Sequence, residues 1–398
     1  MTNEAISTGT PARKAVVAGA GIAGLATALR LHRSGWQVLV VERSPVRRGG
    51  GYLVNLLGRG YDAADDLGLL PGLRDRDLGV FTSILVAADG RRKFVVPAAF
   101  ARAALGPRAL TVFRGDLESA LYEAASTVAD IRFGTTVRTV EQDHDEVRVE
   151  LSDGTSESAD LLVGADGLHS GVRSAAFGPE SGFRVDLRHI VGAFPLSRTP
   201  HDVPENSGTT FIGPGRTAAV INLGPGRSSA FFTYRTADPA AELAAGPVSA
   251  LTAAFGDVGG GVPDALGQLA QAPAGAYFDS VSQVVADSWS RGRVVLVGDA
   301  AWCVTLFAGH GAALALAGAG ELGTALDEHP GDIPAALAHW EKQLRPEVTE
   351  RQALARRGMG QYAPPTRAHI WARDLMLRTI TLPGIRGLAA RSMQRASR

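Results

Sequence analysis

Ala15-Val16-Val17-Ala18-Gly19-Ala20-Gly21-Ile22-Ala23-Gly24 is the stretch on which the reading of this chain turns. Ala15 to Ala18 read as a short strand, and the glycines at Gly-x-Gly-x-x-Gly spacing then turn the chain. Leu25, Leu29 and Leu31 lie in a helical stretch that stops at Gly35. Trp36 to Val41 is a second continuous apolar run, ending at Glu42. Together they make one βαβ unit of about thirty residues, with strands apolar enough to be buried on both faces.

Each glycine has a physical task in such a unit. Gly19 permits the tight turn, Gly21 lets backbone approach a pyrophosphate, and Gly24 lets helix and strand pack closely. The phosphate charge meets the N–H groups of the helix start. Glu42, eighteen residues beyond Gly24, stands where a carboxylate accepts hydrogen bonds from the ribose of an adenosine and repels a 2′-phosphate. The motif alone does not separate FAD from NAD. The same string recurs at Gly318, Gly320 and Gly323, inside an alanine-rich helical run with no strand before it. There the glycines are expected to serve helix packing, not a ligand.

The rest of the chain is consistent with a globular enzyme. Its 398 residues are enough for two or three domains, 45% are hydrophobic, and 40 basic residues balance 40 acidic ones. That balance argues against a chain built to hold nucleic acid. The single cysteine, Cys303, rules out an intramolecular disulfide, a multi-cysteine metal site or a redox dithiol. Met1 to Lys14 lack the apolar stretch of a signal peptide, and no apolar run reaches the roughly 18–20 residues of a membrane span. A cytoplasmic protein without a metal is expected.

Thr82 to Ala88, Asp89-Gly90 and Lys93 to Val96 read as a hairpin. Leu117 to Ala129 reads as a helix capped by Asp116, and Arg132 to Val137 and Glu146 to Leu151 read as strands. From Arg184 to Arg235 the pattern is strand-rich and broken by Gly/Pro turns, which suggests a mixed sheet inserted into the nucleotide-binding unit. Phe211, Phe231, Phe232 and Tyr234 in that stretch fit either a cavity lining or plain core. A helix is expected from about Ala312 to Leu326, and a mostly helical tail from Ala335.

Two further segments choose the ligand. Asp160-Leu161-Leu162-Val163-Gly164-Ala165-Asp166-Gly167-Leu168-His169-Ser170-Gly171-Val172-Arg173 is a strand that breaks into a helix, and Arg293 to Val297 is a strand ending in Gly298-Asp299, followed by Gly309-His310-Gly311. With the first glycine motif they stand in the order of the class A flavoprotein monooxygenases, the para-hydroxybenzoate hydroxylase family, which the chain resembles over nearly its whole length. Gly49-Gly50-Gly51-Tyr52 is similar to the tetracycline-inactivating branch.

The resemblance implies an α/β fold: a Rossmann-like FAD-binding domain at 1–78, 100–180 and 276–335, an inserted mixed β-sheet substrate domain at 79–99 and 181–275, and C-terminal helices at 336–398. Non-covalent FAD would be held by Gly19, Gly21, Ile22, Ala23, Gly24, Glu42, Arg43, Arg47 or Arg48, Arg114, Asp166, Gly298, Asp299, Gly309, His310, Gly311 and Ala312. Asp299 would take a ribityl hydroxyl, Arg114 the ribityl–pyrophosphate region, and the helix start after Gly309 the negative charge of reduced flavin. His310 is a candidate acid/base residue, or serves only through its backbone. Three positions depart from the family pattern: Trp302 for the usual His, Thr305-Leu306 for Pro-Pro, and His310 for Gln.

The implied activity is NAD(P)H- and dioxygen-dependent oxygenation of an aromatic or polycyclic small molecule. A flavin dehydrogenase or reductase without oxygen insertion is the alternative, and a non-catalytic flavoprotein-like binding protein a more distant one.

Overall fold

The computed structural model describes residues 12–47, 52–99, 102, 108–305 and 309–380. Its first layer is a six-stranded sheet in the order Ser290–Arg291, Val294–Leu296, Leu161–Gly164, Lys14–Ala18, Gln37–Glu42 and Asp130–Phe133. The last five are parallel, and Ser290–Arg291 closes the edge antiparallel. Ala15, Val16, Val17, Leu161, Leu162 and Val163 are fully buried, as strands covered by helices on both faces must be. Helix Ile22–Arg33 packs against Gly311–Glu328 on one side of this sheet.

The second layer is a seven-stranded sheet in the order Tyr277–Val284, Arg184–Leu196, Ser228–Arg235, Arg216–Asn222, Ser207–Gly213, Thr82–Val86 and Arg92–Val96. Helices Pro239–Phe255 and Val262–Gln271 cover one face. Phe211, Phe232 and Tyr234 point into that core with Leu251 and Phe255, whereas Phe231 faces the other way. The strand Tyr277–Val284 lies beyond the boundary expected at 276, yet it hydrogen-bonds to Arg184–Leu196 and so belongs to this second sheet. Among the described residues, no helix is long and apolar enough to cross a membrane.

Local readings shift where a turn intervenes. The helix expected over Leu117 to Ala129 runs Arg114–Ala125, and its N-cap is Phe113; Asp116 makes no cap and contributes only its charge in the first turn. The strand expected at Arg132 to Val137 is divided at Gly134, whose φ of 71° ends Asp130–Phe133 before a three-stranded meander begins at Val137. Among the described residues the tail forms two helices, Ile333–Tyr362 and Arg367–Ile380.

The second glycine string is a packing device. A Cβ on Gly318 would stand 3.0 Å from the ring of Trp302, and one on Gly323 would stand 2.4 Å from Arg30 Cγ. Trp302, where the family has His, is buried in a cluster with Trp289 and Trp340, ring centroids 4.7 and 5.7 Å away. Trp340 also donates its indole N–H to Gly318 O at 3.0 Å. Trp340→Ala should therefore lower the unfolding free energy by about 3–5 kcal/mol, the range for emptying a buried indole site. Chemical denaturation checks this, and a loss below about 1 kcal/mol would mean the cluster collapses to fill the space.

Candidate functional site

Four neighbouring parallel strands deliver their carboxyl ends to one edge of the first sheet: Val294–Leu296, Leu161–Gly164, Lys14–Ala18 and Gln37–Glu42. Gly298-Asp299, Asp166, the Gly19–Gly24 turn and Glu42 all leave from that edge. This is where an open α/β sheet binds its ligand.

The first turn is set by close backbone contacts. Gly19 has φ 108°, and a Cβ there would lie 2.4 Å from Ala165 O. A Cβ on Gly24 would lie 1.9 Å from Gly19 O, so no side chain fits at either position. At Gly21 the nearest atom to such a Cβ is Glu118 Oε1, at 3.8 Å. Gly21 is also the N-cap of Ile22–Arg33 and supplies no side-chain cap, so the helix start, including Ile22 and Ala23, presents N–H groups toward open space. Glu42 Oε2 accepts from Ala20 N–H at 2.9 Å and Oε1 from Ser44 N–H at 2.8 Å. It organises the turn while each oxygen keeps a lone pair.

Arg43 and Arg47 are exposed. The Arg47 guanidinium lies 4.4 Å over the Tyr122 ring and donates to Ser119 Oγ at 2.6 Å. Arg48 falls outside the described residues.

In the second loop the Asp166 carboxylate accepts from the Ser170 hydroxyl, from Gly171 N–H at 2.7 Å and from Val172 N–H at 3.1 Å. It thereby organises the start of helix Gly171–Ala176. Burial raises its pKa, against the lowering effect of these donors. Arg173, fully buried, donates to Leu168 O at 2.7 Å and to Ala300 O at 2.9 Å. One guanidinium therefore ties the Asp166 loop to the Asp299 loop. His169 lies between Glu180, at 3.1 Å, and Asp279 of the second sheet, at 3.4 Å.

In the third loop Gly298 has φ 66°, and a Cβ would come within 2.7 Å of Ala23 Cβ. Asp299 begins the short helix Asp299–Trp302 with its side chain exposed at the sheet edge; desolvation by the chain around it raises its pKa, opposed by the Arg114 charge and a hydrogen bond from the Cys303 thiol. Arg114 pairs with Glu118 at 2.7 Å. Tyr52 and Tyr277 meet beside this group with ring centroids 5.8 Å apart, and burial pushes both phenols up. Thr305 adopts φ 80° with its hydroxyl buried and without a partner among the described residues. Such a backbone in a β-branched residue costs about 1–3 kcal/mol and gathers at functional loops.

Helix Gly311–Glu328 starts just beyond. His310 is its N-cap residue and makes no side-chain cap bond; its carbonyl accepts from Leu314 N–H at 2.9 Å. Among the described residues, a Cβ on Gly309 or Gly311 would meet nothing within 4 Å, so a ligand can approach the backbone closely at the helix start, Ala312 included.

The donor set fits FAD. Two helix starts without side-chain caps suit a pyrophosphate and an anionic ring, Glu42 suits a ribose, and Asp299, exposed at the sheet edge, suits a hydroxyl-bearing chain. Several contributors carry no local sequence signal. Gln352 donates to Val284 O at 2.7 Å and to Trp302 O and Cys303 O at 3.4 Å, holding the Asp299 loop from the C-terminal helix. Tyr277 joins the site only through the second sheet, whereas Cys303 stands in the third loop itself, four residues after Asp299. Arg173 is the exception, since it stands inside the quoted motif.

Two outcomes follow. Glu42→Ala should weaken FAD binding about ten- to hundredfold, the equivalent of roughly 1.5–3 kcal/mol for a bond to a charged acceptor; titration of FAD-stripped protein measures it. An unchanged FAD affinity would remove Glu42 from the site. Asp299→Asn should raise the melting temperature of FAD-stripped protein at neutral pH while losing FAD. The folded-state pKa of Asp299 lies above its unfolded value, so native stability falls as pH rises through that window. The gain from Asn should be full above the folded pKa and vanish below the unfolded one, in melting curves taken across pH.

Comparison with known proteins agrees with this geometry. A family model described as FAD binding domain matches residues 13–241, more than half of the chain. The chain is 31% identical over 376 residues to the FAD-dependent monooxygenase asL6 of Sarocladium schorii, covering 88% of each. The crystal structure of HpxO from Klebsiella pneumoniae complexed with FAD and uric acid aligns at TM-score 0.78 and 25% identity, over 96% of each chain. That of the tetracycline destructase Tet(51) aligns at TM-score 0.80 and 24% identity over 97% of this chain and 98% of the other, a likeness of fold. The chain thus belongs to the FAD-binding domain family as an FAD-dependent monooxygenase.

Proposed function

We propose that this enzyme uses NAD(P)H and dioxygen to insert one oxygen atom into an aromatic or polycyclic small molecule, such as a secondary metabolite or an antibiotic. The observation that carries this reading is the meeting of Asp299, Arg114, Tyr52 and Tyr277 between the two sheets, beside a helix start with open N–H groups. The names of the relatives support the substrate class: a tetracycline destructase, and HpxO with uric acid.

When bound, FAD accepts a hydride from NAD(P)H and activates dioxygen for transfer of one oxygen atom. Every other task belongs to the chain. Gly19, Gly21, Ile22, Ala23 and Gly24 would hold the pyrophosphate by backbone, with Glu42 on the adenosine ribose and Arg43 and Arg47 or Arg48 at the rim. Arg114 would balance phosphate or ribityl charge, and Gly298 would let Asp299 accept a ribityl hydroxyl. Gly309, His310, Gly311 and Ala312 would offer N–H groups to negative charge on the flavin ring. His310 acts through its backbone in this reading, because its carbonyl accepts the opening bond of the helix, from Leu314 N–H.

Asp166 has a narrower role than a free carboxylate. Its oxygens are engaged by Ser170, Gly171 and Val172, so it shapes a loop that would border the cofactor. The first sheet serves FAD, the second serves substrate, and the C-terminal helices brace the loop between them through Gln352. A cytoplasmic location would supply the NAD(P)H.

The experiment is turnover under isotopically labelled dioxygen with mass spectrometry of the product. The substrate is found first, as the compound that accelerates NAD(P)H oxidation. One labelled oxygen atom per product molecule is expected. An unlabelled product, formed equally well with another electron acceptor and no oxygen, would establish a dehydrogenase instead.

A further inference from the structure

Charge is unevenly placed along this chain. Of its 40 basic and 40 acidic residues, ten arginines but a single acid, Asp374, lie between Arg351 and Arg398. A chain that is neutral overall is thus divided into an acidic body and a basic end. Helix Arg367–Ile380 lies within that end, and its inner side is anchored. Ile370 and Asp374 are buried, and Asp374 pairs with Lys93 of strand Arg92–Val96. Just before the helix, Gly215 N–H donates to Pro364 O at 2.7 Å and the Thr217 hydroxyl donates to Tyr362 O. The one acid of the stretch is therefore turned inward and paired.

The outer side of the same helix is apolar. Ala368, Trp371, Ala372 and Leu375 follow at i, i+3, i+4 and i+7, the spacing of one helix face, and all four are exposed. Trp371 is 68% and Leu375 48% exposed, whereas the other four tryptophans, Trp36, Trp289, Trp302 and Trp340, are buried. Arg367, one turn before Trp371, is exposed as well. A helix fixed to the body by one side thus presents an aromatic, a leucine and cationic charge on the other.

We propose that this face is a reversible seat on an anionic lipid surface, with Trp371 and Leu375 entering the boundary between headgroups and acyl chains while the arginines of the basic end meet lipid phosphates. Helices of this kind lie in the interface plane with the apolar side about 5–10 Å deep, and tryptophan favours the headgroup level. Two large apolar side chains hold weakly by themselves, and each arginine near an anionic surface adds roughly fivefold in affinity. The contact needs both parts, so it is reversible and salt-sensitive. A second copy of this chain fits less well, because a two-fold contact through this face would set one basic end against another. A nucleic acid would leave Leu375 and the two alanines without a partner. The helix packs on strands Ser207–Gly213 and Arg92–Val96, away from the cofactor cradle, so the seat is independent of the reaction proposed above.

Sedimentation of the FAD-loaded enzyme with phospholipid vesicles tests this. With about one-third phosphatidylglycerol in phosphatidylcholine the enzyme should sediment with the vesicles, and with phosphatidylcholine alone it should stay in solution. Raising salt from about 0.1 to about 0.5 M shortens the screening length from roughly 10 to roughly 4 Å and should release it. Trp371 is the one exposed tryptophan of the five, so acrylamide quenching of the emission should fall when anionic vesicles are added. Trp371→Ser combined with Leu375→Ser should weaken vesicle binding at least about tenfold, with FAD content and NAD(P)H oxidation unchanged. The quenching measurement uses the unaltered chain and decides the matter even if the double variant fails to fold. Equal binding to phosphatidylcholine alone, binding unmoved by the double substitution, or quenching unchanged on the vesicles would each overturn the proposal. So would absence of vesicle binding, and self-association that the double substitution abolishes would give the face to a second copy instead.

Discussion

Backbone packed directly on backbone is the constraint from which the rest of this molecule follows. At Gly19 and Gly24 a methyl group would overlap a carbonyl oxygen, at 2.4 and 1.9 Å. That closeness brings helix Ile22–Arg33 down onto the loop after Leu161–Gly164, and Gly298 brings the third loop against Ala23. Three connections from distant parts of the chain are thereby held at one sheet edge. A larger side chain at any of these points would separate helix from strand, and the N–H groups of the helix start would no longer line the cradle.

The site is assembled from groups that would be unfavourable elsewhere. Arg173 is removed from water, and desolvation by the surrounding chain opposes its charged form and those of the half-buried Asp166 and of Asp299. The fold offsets this unevenly. Asp166 receives three donors from its own loop, and Arg173 satisfies two carbonyls. Asp299 has the field of Arg114 and the Cys303 thiol as its main compensation within the chain, so it is the acid most dependent on a ligand. An acid held this way trades stability for binding, a trade common at functional sites.

The second sheet and the C-terminal helices turn a cofactor cradle into a reaction chamber. Tyr277–Val284 brings Tyr277 and Asp279 alongside the Asp166 and Asp299 loops, and His169 bridges to Asp279 from the first layer. Gln352 then fixes three carbonyls from two segments, more than sixty residues from Val284 in sequence. The tryptophan cluster of Trp289, Trp302 and Trp340 anchors the same helix. Trp302 departs from the family pattern without reaching into the cradle, because its ring turns into this core.

Short-range chemistry was legible in the amino-acid order. Strand, glycine turn, helix and acid from Ala15 to Glu42 lie within one βαβ unit, so their spacing states the geometry directly. The false glycine string at Gly318 was separable because no strand precedes it. The Asp166 and Asp299 loops were recognisable as motifs, but their partners were not. Asp116 looked like a cap until Phe113 took that position, and Glu42 looked like a ribose ligand alone until its bonds to Ala20 and Ser44 appeared. Phe231 could not be told from Phe232, since adjacent strand residues differ only in the face they take, and only the packed sheet decides which face is core. Burial, cross-strand register and contacts such as Gln352 to Val284 depend on loops closing over long stretches of chain. The sequence determined the cofactor turn by itself; tertiary structure alone decided what stands opposite it.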